Sequence, residues 1–224
     1  MMPVRAPAEG AGAGLAGGDV HEHFEDLEQQ AHAARLGLWV FLASEVLLFG
    51  ALFALFASYR EHFPGIFREA VLHNTKVLGS VNTGVLLVSS TLVACGVHAL
   101  RAGRRELAAG LVAVTMALGV VFLAIKFTEY ATHFEEGIYP GGSGAFFVEH
   151  GLRGFSEFWT LYYAMTGLHA IHVTVGVGVL GAMLIQLARG TMEPRTAYRL
   201  ELGATYWHLV DLVWIFLWPL FYLA

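Results

Sequence analysis

Several ionisable side chains in this sequence lie inside long apolar runs, and their spacing limits the chemistry they can perform. Glu45 closes the segment Leu38-Trp-Val-Phe-Leu-Ala-Ser-Glu45, and apolar residues continue beyond it. A carboxylate so placed can hold and pass a proton or meet a lipid headgroup; equally, a neighbouring helix can keep it protonated or hydrogen-bonded. Lys126 and Glu129 have the separation that puts both on one face of a helix, where they neutralise each other. An exposed place near the helix end would also let the Lys126 stem reach the membrane surface. His208 and Asp211 repeat this spacing within Tyr206-Trp-His-Leu-Val-Asp211. The Asp211 carboxylate is expected to accept from the imidazole, fix the ring and hold a contact to a partner subunit.

His169 and His172 also share a helix face, and paired histidines suggest metal or haem. The spacing alone is not sufficient. A bis-His haem takes its ligands from facing elements, and a di-iron carboxylate site needs Glu-x-x-His on inward-facing helices, whereas Glu129-Tyr-Ala-Thr-His133 has the wrong interval. Polar contacts between helices are the expected role of these histidines; His98 is open to the same two readings. No metal is expected on this chain.

The elements that must position these groups are membrane spans. Of 224 residues, 56% are hydrophobic and 14% charged, with a mean hydropathy of +0.59; the charges fall between apolar runs, as loops do between spans. An ionisable group at mid-bilayer costs about 2.5 to 3.5 kcal/mol on insertion scales, so each one needs a role. Five apolar segments, at about 36–58, 78–100, 107–130, 158–187 and 204–223, each reach the roughly 20 residues needed to cross a hydrocarbon core. The fold expected is an all-α, polytopic bundle over residues 35–224, preceded by a polar, partly disordered segment over residues 1–34. The Gly-rich turn Pro140-Gly-Gly-Ser-Gly144 falls in the longest loop; with no strand before it, it lacks the context of a phosphate loop.

Arg5, Arg35, Arg101, Arg104, Arg105, Arg189, Arg195 and Arg199 fall on one side of such a bundle, against Arg60, Arg68, Lys76 and Arg153 on the other. The first side is expected to be cytoplasmic, with the N-terminus there and the C-terminus outside. Trp214, Trp218 and Tyr222 are then expected to anchor the last span at the outer interface. The small residues Ala170, Thr174, Gly178 and Ala182 form a face that predicts a partner helix, and Cys95 reads as a small buried residue. No basic tract of nucleic-acid type is present, and an odd span count gives no matching transporter halves.

In this order the motifs resemble subunit III of haem-copper cytochrome c oxidases. Leu38 to Glu45 is similar to the family's Trp-x-Phe-x-x-Ser-Glu segment, and Asn82 to Ser90 to its Asn-Thr-x-x-Leu-Leu-x-Ser-Ser segment. Glu129-Tyr130 resembles a Glu-Tyr pair closing the next helix, Thr166 to His172 a Thr-Gly-x-His-x-x-His segment, and Tyr206 to Trp214 the last helix. The resemblance implies an accessory subunit of a bacterial plasma-membrane complex in aerobic respiration. Haem and copper would be held by subunits I and II, and this chain would bind structural phospholipids, support proton uptake and slow inactivation of the catalytic subunit. A place in a larger respiratory supercomplex is compatible with it.

Carried over residue by residue, Glu45 matches a buried carboxylate near a lipid site. Glu129, His169, His172, Trp207, His208 and Asp211 fall at motif positions expected to contact lipid or subunit I. The chain lacks the first two helices of the family's long form, so the lipid cleft would be completed by extra helices of the catalytic subunit. Within the family, a quinol oxidase or a nitric oxide reductase accessory subunit is the alternative to the cytochrome c branch. Outside it stand a haem-binding membrane cytochrome and a proton-coupled transporter using Glu45 and Asp211.

Overall fold

A computed structural model describes residues 27–142, 144–151 and 153–223. Among these residues every regular element is helical: α1 (Leu27–His62), α2 (Pro64–Val71), α3 (Lys76–Arg101), α4 (Arg105–Glu135), α5 (Ala145–His150), α6 (Phe155–Arg189) and α7 (Tyr198–Tyr222), with a 3-10 turn at Pro194–Thr196. Helix is what apolar segments of this length must form, since lipid offers no partner for backbone N–H and C=O groups. Of these helices α1, α3, α4, α6 and α7 are long and apolar enough to span, matching the five segments read from sequence. Each exceeds or equals its apolar run; α1 has 36 residues, about 54 Å at 1.5 Å per residue. It therefore tilts or projects beyond a core of about 30 Å. It already begins at Leu27, inside the segment expected to be polar and partly disordered; residues 1–26 of that segment lie outside the described residues.

The turns follow local chemistry. Gly190 takes the left-handed conformation (φ +75°) that ends α6, and Gly103 (φ +76°) does the same after α3, both favoured by the missing Cβ. Pro64 starts α2, where a missing N–H costs nothing.

Helix α7 is the centre of the bundle. Half of its most apolar window is buried (50%), against 17% for α1, which lies on the periphery against α6 and α7. The closest packing is made by Trp207, fully enclosed between Gly119 of α4 and Gly176 of α6. A Cβ at either glycine would come within 2.6 or 2.7 Å of the indole. At the end where α2 and α5 sit, Phe56, Phe67, Phe158 and Phe221 interlock edge to face, with centroids 5.1 to 5.3 Å apart for the closest pairs. At the arginine-rich end Glu201 binds Arg101 at 2.7 Å and Arg35 at 3.4 Å, joining α7 to α3 and α1.

Two expectations are corrected. Trp214 and Tyr222 are not interfacial anchors: both are fully buried, because α7 is central and has no lipid-facing side at those positions. Cys95 is exposed on α3, since the buried face of that helix runs through Val93 and Val97 instead. The small-residue face of α6, for which a partner helix in this chain or another is expected, meets no helix among the described residues. Thr174, Gly178 and Ala182 are exposed, and the glycine that accepts a neighbour is Gly176 on the adjacent face.

Candidate functional site

Polar groups in the bundle fall into three layers. The first is built by α4, whose spacing places Lys126 and Glu129 on the face packed against α6 and α7. Lys126 donates to Glu129 Oε2 at 3.2 Å, Tyr162 OH at 3.0 Å and Tyr222 OH at 2.9 Å. Both tyrosines donate to Glu129 Oε1 at 2.7 Å. An ammonium has three donors and all are used, while both carboxylate oxygens accept. The rings of Tyr130, Tyr162, Trp214 and Tyr222 surround the cation at 4.9 to 5.6 Å. Lys126 is 1% exposed, so the stem does not snorkel as the sequence suggested; four aromatic rings close the route to the surface. A network with no spare donor or acceptor locks helices together and has no valence left for relaying a proton.

The second layer is the seam between α3 and α7. Trp207 donates to Ser89 Oγ at 3.0 Å and Trp214 to Thr83 Oγ1 at 3.1 Å. His208 Nδ1 lies 2.6 Å from Ser90 Oγ. Contrary to expectation, His208 does not bond Asp211. Residues three apart share a helix face, but each side chain here reaches the helix opposite it, and Ser90, which also lies beside Asp211, takes the imidazole. Both Asp211 oxygens, both polar atoms of Asn82 and both ring nitrogens of His169 have no hydrogen-bond partner within the described chain. His169 is wedged between Phe122 and Trp214, at 5.5 and 5.2 Å, so the polar contact expected of it is not made. His169 faces the interior and His172 faces α1, so the two rings do not converge on one ligand. Among the described residues no three His, Cys, Asp or Glu side chains are grouped as a metal ion would need.

The third layer joins two residues that the sequence named separately. His172 Nε2 lies 2.8 Å from Glu45 Oε2, linking α6 to α1. The other ring nitrogen, Nδ1, is 2.8 Å from the Leu168 carbonyl. A carbonyl only accepts, so Nδ1 carries a proton. Nε2 is then the ring atom that faces the carboxyl of Glu45. Their side chains keep 13% and 15% exposure, so this pair reaches the outer surface of the bundle. Beside it, between α1 and α7, runs an apolar groove of about 230 Å³ lined by Val46, Phe49, Phe53, Leu212 and Phe216.

Glu129, His169, Trp207 and Asp211 are thus enclosed by this chain's own helices. Among the expected contact residues, Glu45, His172 and His208 keep access to the outside. Sequence reasoning missed Tyr162 and Tyr222, the hydroxyls that complete the Lys126–Glu129 network. Their signal was present: a buried ion pair needs additional donors and acceptors, and tyrosines in neighbouring spans are the side chains long enough to supply them.

Comparison with known proteins gives the family. The sequence model of the family described as cytochrome c oxidase subunit III matches residues 22–224. The quinol oxidase subunit 3 of Bacillus spizizenii is 30% identical over 200 residues, covering 88% of this chain and 91% of that one. The quinol oxidase subunit 3 of Bacillus subtilis is 29% identical over the same share. The probable quinol oxidase subunit 3 of Staphylococcus haemolyticus is 28% identical over 191 residues, covering 84% of this chain and 88% of the relative. With its five apolar spans and a match over nearly its whole length, this multi-pass membrane chain belongs to the cytochrome c oxidase subunit III family.

Proposed function

We propose that the chain is the accessory, non-redox subunit III of an aerobic haem-copper oxidase in a bacterial plasma membrane. Haem and copper belong to its partners, subunits I and II, and this chain supports proton uptake and prolongs the working life of the catalytic subunit. The observation that carries the reading is the Glu45–His172 pair, a carboxyl and an imidazole 2.8 Å apart at mid-span near the outer surface of the bundle, beside an apolar groove between α1 and α7. An intramembrane carboxyl is by default a functional position even when paired within its chain, and a catalytic partner or a bound phospholipid is the user we assign to it.

On the electron donor, the sequence favoured cytochrome c, with quinol as the alternative. The relatives described above are named quinol oxidase subunits, which favours quinol for this chain. The match covers 91% and 88% of the lengths of the first and third of those relatives. The place of the two additional helices is then filled by helices of the catalytic subunit; a complex in which no helix of another chain stands there refutes this point. The deciding experiment is purification through this chain from mild detergent. The expected companions are a haem-containing subunit I and a subunit II without a dinuclear copper site. Such a copper site would assign the complex to cytochrome c, and recovery with no haem-containing partner would refute the reading altogether.

A further inference from the structure

Where α2 and α5 cap the bundle, three buried polar atoms have no hydrogen-bond partner among the described residues: Asn74 Oδ1, His133 Nδ1 and Trp159 Nε1. They come from three elements, since Asn74 lies in the turn between α2 and α3, His133 in the last turn of α4 and Trp159 near the start of α6. All three residues are at most 3% exposed, so bulk solvent does not serve them. They are also neighbours. The His133 imidazole meets the Trp159 indole edge to face at 4.9 Å and lies against the backbone of His73, the residue before Asn74. Phe146 of α5 packs on the same group, 5.1 Å from the His73 ring and 6.4 Å from Trp159. Each side chain is held by its own packing. Asn74 Nδ2 donates to the Phe221 carbonyl at 2.9 Å, which fixes the amide and identifies its other atom as the oxygen. Phe158 and Tyr162 hold the indole at 5.2 and 5.3 Å, and Tyr162 holds the imidazole at 5.5 Å.

The three atoms make different demands, and together they select the ligand. An indole N–H only donates and an amide oxygen only accepts, while an imidazole nitrogen takes either role with its tautomer. A metal cation cannot accept from Trp159, and an anion without hydrogen cannot donate to Asn74. A small neutral molecule that both accepts and donates satisfies all three, as buried polar groups require. Water is that molecule, and a buried water typically makes about three hydrogen bonds. We propose that Asn74, His133 and Trp159 bind one structural water, which accepts from Trp159 Nε1, donates to Asn74 Oδ1 and bonds His133 Nδ1. It joins the α2–α3 turn to α4 and α6 one helical turn beyond the Lys126–Glu129 network, because His133 follows Glu129 by four residues. The site is separate from the Glu45–His172 pair and does not rest on the identity of the complex.

The test is cryo-electron microscopy of the assembly purified through this chain, at a resolution that shows ordered waters elsewhere among the spans. The expected result is one isolated density within hydrogen-bonding distance of all three atoms. Trp159→Phe keeps a ring in place but removes the donor, and its map is expected to lose that density. Ultraviolet resonance Raman gives a second reading: the wild-type indole bands minus those of Trp159→Phe isolate Trp159, and they are expected to be those of a hydrogen-bonded N–H. Should Trp159→Phe fail to fold, the wild-type map decides alone. The proposal is overturned if waters are seen elsewhere and none here, or if any two of the three atoms bond each other directly. A side chain of this chain or of another subunit in the place of the density overturns it too, as does a free indole N–H at Trp159. A density that persists at full strength in Trp159→Phe shows that the indole does not hold it, with the same consequence.

Discussion

The Lys126–Glu129 network permits a quantitative test. Glu129→Gln keeps the shape of the side chain but leaves the Lys126 ammonium, 1% exposed, without its counter-charge. Breaking a buried pair from one side costs about 3 to 5 kcal/mol. Tyr222→Phe leaves the charges paired and removes a hydroxyl that donates to Glu129 at 2.7 Å and accepts from Lys126 at 2.9 Å. Hydrogen bonds inside membrane bundles average about 0.6 kcal/mol and reach about 1.7, so this substitution costs about 1 to 2 kcal/mol. Replacing both charges together, Lys126→Met with Glu129→Leu, removes the stranded ion. The double variant is therefore more stable than Glu129→Gln alone, by about 1 kcal/mol or more. Unfolding in mixed micelles by SDS titration, followed by tryptophan fluorescence, measures all three; Trp214 lies 5.5 Å from the ammonium and senses the site directly. The reasoning is refuted if the double variant is no more stable than Glu129→Gln, or if Glu129→Gln costs no more than Tyr222→Phe. Either outcome would mean that the hydroxyls, and not the ion pair, hold α4, α6 and α7 together.

Further substitutions probe the other layers. Gly176→Ala and Gly119→Ala drive a methyl group into the Trp207 indole, at 2.7 and 2.6 Å, and each is expected to cost about 1 to 3 kcal/mol. Gly178→Ala, which meets no atom within 4 Å, serves as a neutral control in the same thermal unfolding assay. Ser90→Ala and His208→Ala each remove the 2.6 Å contact between α3 and α7, at about 0.6 to 1.7 kcal/mol. The double variant costs less than the sum of the two, and full additivity in a double-mutant cycle would show that the pair does not interact. Glu45→Ala is expected to assemble into the complex but to lose oxygen-reduction activity faster during turnover, with His172→Ala behaving alike because the two side chains are in contact at 2.8 Å. Inactivation kinetics equal to wild type would remove Glu45 from any functional role.

The amino-acid sequence by itself determined the architecture. Backbone hydrogen bonding in lipid leaves an apolar run of this length only one conformation, so composition and run length give the number and order of the spans. The same local logic placed Lys126 beside Glu129, because an interval of three residues on one helix already brings them together. Gly190 and Pro64 likewise mark helix boundaries by properties of single residues.

Which helix face meets which neighbour is a different matter, since an apolar span looks similar on all sides to a sequence pattern when lipid and protein interior are both apolar. That ambiguity is why Trp214 and Tyr222 read as interfacial anchors and are core, why Cys95 reads as buried and is exposed, and why the small-residue face of α6 is not the one that receives Trp207. The pairings of Glu45 with His172 and of His208 with Ser90, in place of the adjacent Asp211, join residues far apart in the chain. No interval along one helix encodes them. They follow from rotation and depth of the packed helices, fixed by the Trp207 wedge between two glycines and by the tyrosines that close on Lys126. Tertiary packing alone thus decided that the Glu45–His172 pair faces outward while the Lys126–Glu129 pair is sealed inside.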